Sequence, residues 1–398
     1  MEFSVLGTVL GGALSLFRAL APFLVTGLFA LFAWKLWRYY LLYTFVKKQE
    51  WVLLEIKLPR DIFKSPKAME AVLGAMWYAS DGNPITRFLT NKKRPWFSLE
   101  IVSDGGIIHF YVYTQTLYRN IVESHFYAHY PQVQIVEVDD YTTRFPVFDP
   151  NSGWDFEGEM LKFIREDALP IRTYVDYALD QETKEEFKVD PLAHLLENFA
   201  TASPDEQLWF QIILTSWRED GWKEEGKKVV EKLLGRDKKD TEGRTSFPPL
   251  PSKVETETVE AIERKMDKLV FKAGIRELYI FKKDKGVDKR KTIGLYAAAK
   301  SFGSGYVNTL VKGMDLGYSF AWQDPLGWRD RKDRRTMFWG YVLRSHFYPP
   351  VIAKKELTMI LSTEEVATLF HLPGEVAQPP TLSRIESKRR EAPPNLPI

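Results

Sequence analysis

The chain has 398 residues, of which 45% are hydrophobic, and this length predicts two to three domains that each bury a core. It carries 55 lysines and arginines against 53 aspartates and glutamates, and the resulting net charge of +2 argues against a protein that binds nucleic acid over its whole surface. The absence of cysteine excludes disulfides, cysteine-ligated zinc, iron–sulfur clusters and thiol catalysis. A nucleic-acid or lipid contact would therefore depend on a local basic patch.

Residues 1–49 predict a membrane anchor. The stretch 19–37 is apolar apart from Lys35, and about 20 helical residues span the ~30 Å hydrocarbon core of a bilayer. Arg18 would lie at the far interface, and aromatic and basic residues typical of the near interface close the stretch: Trp34, Lys35, Trp37, Arg38, Tyr39 and Tyr40. Because basic residues collect on the C-terminal side only, we expect a single-pass protein of the inner membrane with most of the chain in the cytoplasm.

Three alternatives exist for this anchor. A secretory signal peptide carries its basic residues before the apolar run, whereas here they follow it. A tight hairpin of two short helices around Arg18 would give arms that are short for a full crossing. A buried core helix would not need the aromatic and basic flank.

Residues 50–148 predict a first α+β unit. Its elements are a strand at 51–58, a helix at 66–79, a polar and basic loop at 81–95, two strands flanking Asp104-Gly105-Gly106, a helix at 116–130 and a strand at 133–141. The order β-α-β-β-α-β is that of the split βαβ, ferredoxin-like unit.

Residues 149–372 predict a second unit of the same kind with large insertions. Its elements are a strand from Ile171, a helix at 190–202, a strand at 206–217, helices at 222–234 and 254–268, a strand at 269–282, a helix at 289–302, a strand at 357–361 and a helix at 363–370. The fold class is therefore α+β: a transmembrane helix followed by two ferredoxin-like units. A Pro-rich, charged tail or linker follows at 373–398.

No catalytic or cofactor motif stands out, because the chain has no Walker A loop, no GxGxxG fingerprint after a strand and no GxSxG elbow. His125 and His129 have the i, i+4 spacing of a metal pair, but Phe126 stands where a zincin has glutamate. Glu364 and Glu365 open a helix, where the dipole favours carboxylates. We therefore expect no enzyme, no cofactor and no metal.

The most distinctive stretch outside the anchor is the basic, aromatic segment 322–348. Its candidate contact residues are Trp322, Trp328, Arg329, Arg331, Lys332, Arg334 and Arg335. Basic residues attract phosphates and aromatic rings stack on bases, so a nucleic-acid contact is one interpretation. Anionic lipid headgroups are a second, and a solvated loop with its tryptophans turned into the core is a third.

Several stretches carry a resemblance to a known family. They are WVLLEIKLPRD, FSLEIVSDGGIIHFYVYTQTLYRNIVESHFYAHYPQVQIVEVDDY, DPLAHLLENFATASPDEQLWFQIILTSW, GWKEEGKKVVEKLLG, LSTEEVATLFHLPG and SRIESKRREAPPNLP. Together they resemble the region that precedes the motor domain in membrane-anchored conjugation and type IV secretion coupling ATPases. These belong to the hexameric DNA-pump class related to archaeal HerA helicases, and the resemblance is to the form found in candidate-phylum bacteria.

The resemblance implies a non-enzymatic, membrane-anchored platform that positions a P-loop DNA-translocating ATPase at the inner membrane. It implies membrane lipid, further copies of the chain and the ATPase as partners, with DNA as a further candidate. The P-loop motor that follows such a region in the family is absent from these residues, so it is either a separate polypeptide or was truncated from this one. The alternative function is a structural subunit of another envelope secretion or pilus complex without DNA contact.

Overall fold

The computed structural model describes residues 2–59, 64–78, 82–149, 151–181, 189–235, 251–317, 320–374 and 384–385. Its helices are α1 Glu2–Lys47, α2 Pro66–Ala75, α3 Pro84–Thr90, α4 Arg119–His129, α5 Leu192–Ala200, α6 Gly221–Leu233, α7 Lys253–Asp267, α8 Lys289–Lys300, α9 Trp328–Val342 and α10 Thr363–Leu369. Its strands are β1 Trp51–Pro59, β2 Trp96–Asp104, β3 Ile107–Gln115, β4 Gln134–Val138, β5 Trp154–Phe163, β6 Glu206–Trp217, β7 Val270–Lys282, β8 Leu310–Asp315, β9 Met359–Ser362 and β10 Arg384–Ile385. The protein is thus a mixed α/β protein with an N-terminal apolar helix.

These elements divide into two compact units, the first of which is formed by α1 and α3. Helix α1 continues through Arg18 without a turn, so the hairpin alternative is not observed. Its part Phe17–Lys47 has a mean hydropathy of 1.7 in its most apolar window, and none of that window is buried. By length and composition this helix is long and apolar enough to span a membrane.

Helix α3 lies in the segment 81–95, so the prediction of a loop there is wrong for its middle part. The helix begins at Pro84, whose missing N–H costs little in a first turn, and the Asn83 side chain accepts a hydrogen bond from the backbone N–H of Thr86 at 2.7 Å. It ends at Thr90 and is followed by Asn91, which adopts a left-handed conformation with φ 51°. Local capping thus forms a short helix within a stretch that is otherwise polar and basic.

The second unit is built on one antiparallel sheet. The strands lie in the order β4-β1-β3-β2-β6-β7-β5-β8, with β9 beside the start of β7 and β10 parallel to the end of β1. The predicted hairpin is confirmed, since β2 and β3 pair on either side of Gly105 and Gly106, which both have positive φ. Pairing of β2 with β6 joins the regions 50–148 and 149–372 into one sheet.

The two faces of the sheet are covered differently. Five helices, α2, α4, α5, α8 and α10, pack on one face with the larger hydrophobic core. On the other face a smaller core forms around Trp209 and Phe156, and it is closed by α9 and by residues 141–147. Helix α9 therefore covers a face that would otherwise meet water.

Two strands of the second unit differ from the prediction. The stretch from Ile171 is irregular and forms turns from Tyr174, and both of these residues are buried, so the prediction of a strand there is wrong. The strand that precedes α5 is β5, and β8 pairs with its outer side. The predicted last strand exists as β9, but it pairs with β7. Most of the predicted tail 373–398 lies outside the described residues, which include only 373–374 and 384–385 of it.

Candidate interaction surface on helix α9

The basic segment is a helix over most of its length. Helix α9 starts after Gly327, whose φ of 63° favours glycine, and both carboxylate oxygens of Asp324 accept backbone hydrogen bonds at its first turn, from Trp328 at 3.0 Å and from Asp330 at 2.9 Å. Trp322 and Trp328 are 75% and 68% exposed. The interpretation as a loop with its tryptophans in the core is therefore wrong.

The outward side of α9 carries an aromatic and basic stripe. Trp328, Lys332, Arg335 and Trp339 follow one another at i, i+4, i+7 and i+11, which places them on one side of a helix, and all four are exposed. Leu343 continues the line at the end of the helix. We call this set, with the exposed residues beside it, the α9 surface; the additional members are Phe320, Trp322, Leu326, Arg329 and Arg331.

The predicted contact residues divide into two groups. Arg334 points inward, where its guanidinium donates to the carbonyl of Phe156 at 2.6 Å and to Glu157 at 3.3 Å, and also pairs with Asp155. It therefore holds α9 on β5. The other six predicted residues are exposed, although Arg331 also donates to the carbonyl of Leu326 at 2.8 Å.

A buried polar row on the sheet positions the helix. Glu100, Gln211 and Arg276 are direct neighbours on β2, β6 and β7. The Gln211 amide donates to Glu100 at 2.9 Å and to the carbonyl of Tyr341 at 3.1 Å, and Arg276 donates to Gln211 at 3.3 Å and to the carbonyl of Gly340. The end of α9 is thus bonded directly to β6 and β7, and Glu100 on β2 supports Gln211 from the other side. Glu100 and Gln211 each stand inside an otherwise mostly apolar run, and this is the signal that sequence reasoning missed.

Arg344, just after α9, completes the attachment. Its guanidinium donates to both oxygens of Glu100, at 3.0 and 3.1 Å, and pairs with Asp140, while Tyr141 donates to Glu100 at 2.7 Å. Burial opposes the charge of Arg344, but the nearby carboxylates outweigh it and raise its pKa well above the usual value. Arg344 therefore keeps its charge in the interior, where its guanidinium faces the carboxylate of Glu100.

Arg276 has a different environment, in which its partners are neutral. Burial lowers the pKa of Arg276 to about 9. Its guanidinium donates to the carbonyl of Ser345 and to Nδ1 of His346 at 3.1 Å, and burial together with this cation lowers the pKa of His346 well below its ordinary value. A neutral His346 also bonds Thr358 at 3.1 Å, and its ring occupies the space of a side chain at Gly274, where a Cβ would lie 2.3 Å from Cε1.

The other carboxylates and histidines that the sequence offers as candidates take part in ion pairs or helix capping, or lie half-buried on a helix. Glu365 caps α10 and pairs with Lys265 at 3.1 Å, and Glu364 bonds Arg264 at 2.9 Å. His125 and His129 lie half-buried on α4. Among the described residues no group of three or more histidine, aspartate or glutamate side chains could hold a metal ion.

The predicted membrane-interface residues all lie on α1. Arg18, Trp34, Lys35, Trp37, Tyr39 and Tyr40 are exposed along the helix. Arg38 is half-buried, because its guanidinium donates to the carbonyl of Phe88 at 2.7 Å and to the side chain of Asn91 at 2.6 Å. The predicted flank of the apolar stretch therefore contacts α3.

The arrangement on α9 suits binding of a phosphate-bearing surface. Guanidinium and ammonium groups attract phosphates, and exposed indole rings stack on bases or lie at a lipid headgroup layer. A comparison with curated proteins finds no match to this chain. A family model, the domain of unknown function DUF8128, matches residues 44–298, which is more than half of the sequence and ends before α9. This chain therefore belongs to the DUF8128 family.

Proposed function

We propose that this protein is a non-enzymatic platform that anchors a P-loop DNA-translocating ATPase to the inner membrane in a conjugation or type IV secretion machine. The observation that carries the proposal is the exposed apolar helix Phe17–Lys47, which is followed within a few residues by a large folded α/β unit. Such an arrangement suits a protein that holds a partner at a membrane surface. The identity of the machine rests on the resemblance of the sequence stretches given above.

The orientation follows from charge. Lys35, Arg38, Lys47 and Lys48 lie at the C-terminal end of the apolar helix, and an excess of basic residues marks the cytoplasmic side. The folded α/β unit and its α9 surface would then face the cytoplasm, where a DNA-translocating ATPase works.

Two ferredoxin-like units are part of the proposal. In each half of the sheet the four strands have the same spatial order: β4-β1-β3-β2 in the first half and β8-β5-β7-β6 in the second. Numbered within its own half, each order is 4-1-3-2, and this order with antiparallel pairing supports a split βαβ unit. The edge strands β4 and β8 offer pairing groups for neighbouring copies, so a homo-oligomer is expected.

The first test is the position of the chain in the membrane. Because the chain has no cysteine, a single Leu117→Cys, at an exposed position of the folded unit, reports its own compartment. We expect the protein to stay in membranes after a carbonate wash and Leu117→Cys to react with an impermeant maleimide only after permeabilisation. Release by carbonate, or labelling in intact spheroplasts, would overturn the membrane placement.

The second test is recruitment of the motor. Full-length protein with an affinity tag should co-purify with the P-loop ATPase encoded beside it and form rings in electron micrographs. Deletion of residues 375–398 should abolish the co-purification if the tail is the docking segment. Stable oligomers that do not co-purify with the ATPase and do not bind DNA would instead support the alternative, a structural subunit of another envelope complex.

A further inference from the structure

Helix α3 exposes an apolar side that its own unit does not cover. Ile85, Phe88 and Leu89 lie at i, i+3 and i+4, on one side of the helix. They are 70%, 57% and 61% exposed. Three large exposed apolar side chains on one side of a seven-residue helix form an apolar patch, and such a patch indicates a surface that binds another component.

Contacts with α1 fix the position of this helix. The rings of Phe88 and Trp34 lie 5.7 Å apart, and the guanidinium of Arg38 lies 6.0 Å from the Phe88 ring. The Arg38 side chain donates to the carbonyl of Phe88 at 2.7 Å and to the Asn91 side chain at 2.6 Å, and Asn91 donates back to the carbonyl of Arg38 at 3.0 Å. Helix α3 is therefore held at the level of Trp34 and Arg38.

That level is where the apolar helix changes into its aromatic and basic flank. Residues 19–33 have no charged side chain, whereas Trp34, Lys35, Trp37 and Arg38 are of the kind that lie among lipid headgroups. Basic residues also follow α3 at Lys92 and Lys93, which suits an anionic headgroup layer. The apolar side of α3 thus continues the exposed apolar surface of α1.

We propose that α3 is an interfacial helix, which inserts Ile85, Phe88 and Leu89 into the bilayer at the boundary between headgroups and acyl chains. The occupant of this surface is lipid, since the surface is continuous with the span and has basic residues beside it. Short amphipathic helices bind membranes in this way, with the apolar side down and the polar side in water. The inference rests on the proposed membrane anchorage and adds a second contact, which would restrict rotation of α1 about its own axis.

The experiment uses the cysteine-free full-length chain in vesicles of phosphatidylethanolamine and phosphatidylglycerol. Single variants carry a nitroxide at one position: Ile85→Cys and Leu89→Cys on the apolar side of α3, and Thr90→Cys on its polar side. Val25→Cys in the middle of the span and Leu117→Cys in the folded unit are the references. Accessibility to oxygen, which enriches in the bilayer, is compared with accessibility to a water-soluble nickel chelate.

We expect the labels at positions 85 and 89 to be more accessible to oxygen and several-fold less accessible to nickel than the labels at positions 90 and 117. If the labels at 85 and 89 are as accessible to nickel as the label at 117 while the label at 25 is protected, the inference on α3 is overturned and the anchorage stands. If the label at 25 is also accessible to nickel, the proposed anchorage fails, and with it the inference.

Discussion

At the scale of single residues, two carboxyl groups meet inside the sheet. Glu159 and Glu277 are direct neighbours on β5 and β7 and both are buried. The ammonium of Lys312 lies 2.7 Å from a carboxylate oxygen of Glu159. Burial and the neighbouring Glu159 raise the pKa of Glu277 well above its ordinary value, and Glu277 therefore keeps its proton.

Replacing Glu277 should stabilise the protein at alkaline pH. Its folded pKa lies above the unfolded one, so the folded state binds more protons and stability falls as the pH rises from about 4.3 toward the folded pKa. Glu277→Gln keeps the neutral form and removes this loss. We expect its Tm to exceed that of the native chain at pH 8 by about 2 °C or more, with a smaller difference at pH 5.

Glu159→Gln is the matched control for this pair. It removes the carboxylate that Lys312 contacts, so no gain in Tm is expected at pH 8. The Tm of both variants is measured in one detergent by thermal unfolding followed by circular dichroism. A Glu277→Gln protein that unfolds no later than the native chain at pH 8 would show that Glu277 is not the protonated member.

At the scale of elements, the attachment of α9 depends on a buried ion pair. Arg344→Met would leave the fully buried Glu100 without its cation, and breaking such a pair costs about 3–5 kcal/mol. We expect a clear loss of Tm and faster hydrogen exchange at residues 337–345. Both changes can be measured on the full-length protein in detergent by calorimetry and mass spectrometry.

A compensating variant separates this cause from a general packing defect. Glu100→Gln together with Arg344→Met removes both charges, so it should recover part of the stability that Arg344→Met loses. Equal destabilisation in the single and the double variant would mean that the charge on Glu100 is not the reason for the loss.

The outward side of the same helix should bind phosphates. Lys332→Glu with Arg335→Glu reverses two exposed charges in the middle of the stripe. We expect at least tenfold weaker binding of a single-stranded oligonucleotide, and a slope of log K against log salt that falls by about one for each phosphate that is no longer neutralised. Fluorescence anisotropy with the full-length chain in a neutral detergent measures both quantities.

Lys253→Glu with Arg290→Glu is the matched control, because it changes the net charge equally at exposed positions on α7 and α8. Its affinity should stay near that of the native chain. An equal loss of affinity in both double variants would mean that binding depends on the overall charge of the protein and not on the α9 surface. If the native chain does not bind the oligonucleotide but binds anionic vesicles, the α9 surface contacts lipid instead.

The sequence predicted those helices and strands that are marked by residues within or directly beside them. The hairpin at Gly105 and Gly106 and the strand β6 were found because turn residues and β-branched or aromatic runs mark them. Strand β5 was missed because Asp155, Glu157 and Glu159 make it look like a charged loop, and a shift of register between Met160 and Leu161 breaks its alternation.

The candidate sites were predictable only in part, for a related reason. The cluster of basic residues at 329–335 is visible in the sequence, but which of them are free to bind depends on a helix that has aromatic residues on both sides and hence no clear apolar period. Arg334 turns inward because Asp155, Glu157 and the carbonyl of Phe156 on β5 accept its hydrogen bonds, which the sequence pattern of α9 does not reveal. The spacing of Ile85, Phe88 and Leu89 is visible in the sequence, but its meaning comes from contacts of α3 with Trp34 and Arg38, about fifty residues away in the sequence.

At the scale of the whole molecule, the folded α/β unit is one sheet and not two. β2 and β6 pair over nine residue positions, from Trp96–Thr215 to Asp104–Gln207, and Leu99 and Ile212 face each other there without exposure. The two halves therefore share a buried seam of backbone hydrogen bonds. Neither half can lose its strands without exposing a long hydrophobic edge of the other.

This seam predicts that both halves unfold together. Leu54→Ala in β1 and Ile280→Ala in β7 each remove a fully buried side chain, at a cost of about 2–5 kcal/mol, from opposite halves of the sheet. We expect both variants to shift the same single calorimetric transition, with no new transition appearing. Independent halves would instead give two transitions, of which each variant lowers only its own, and the shared sheet would then be a docking contact between separate domains rather than one cooperative core.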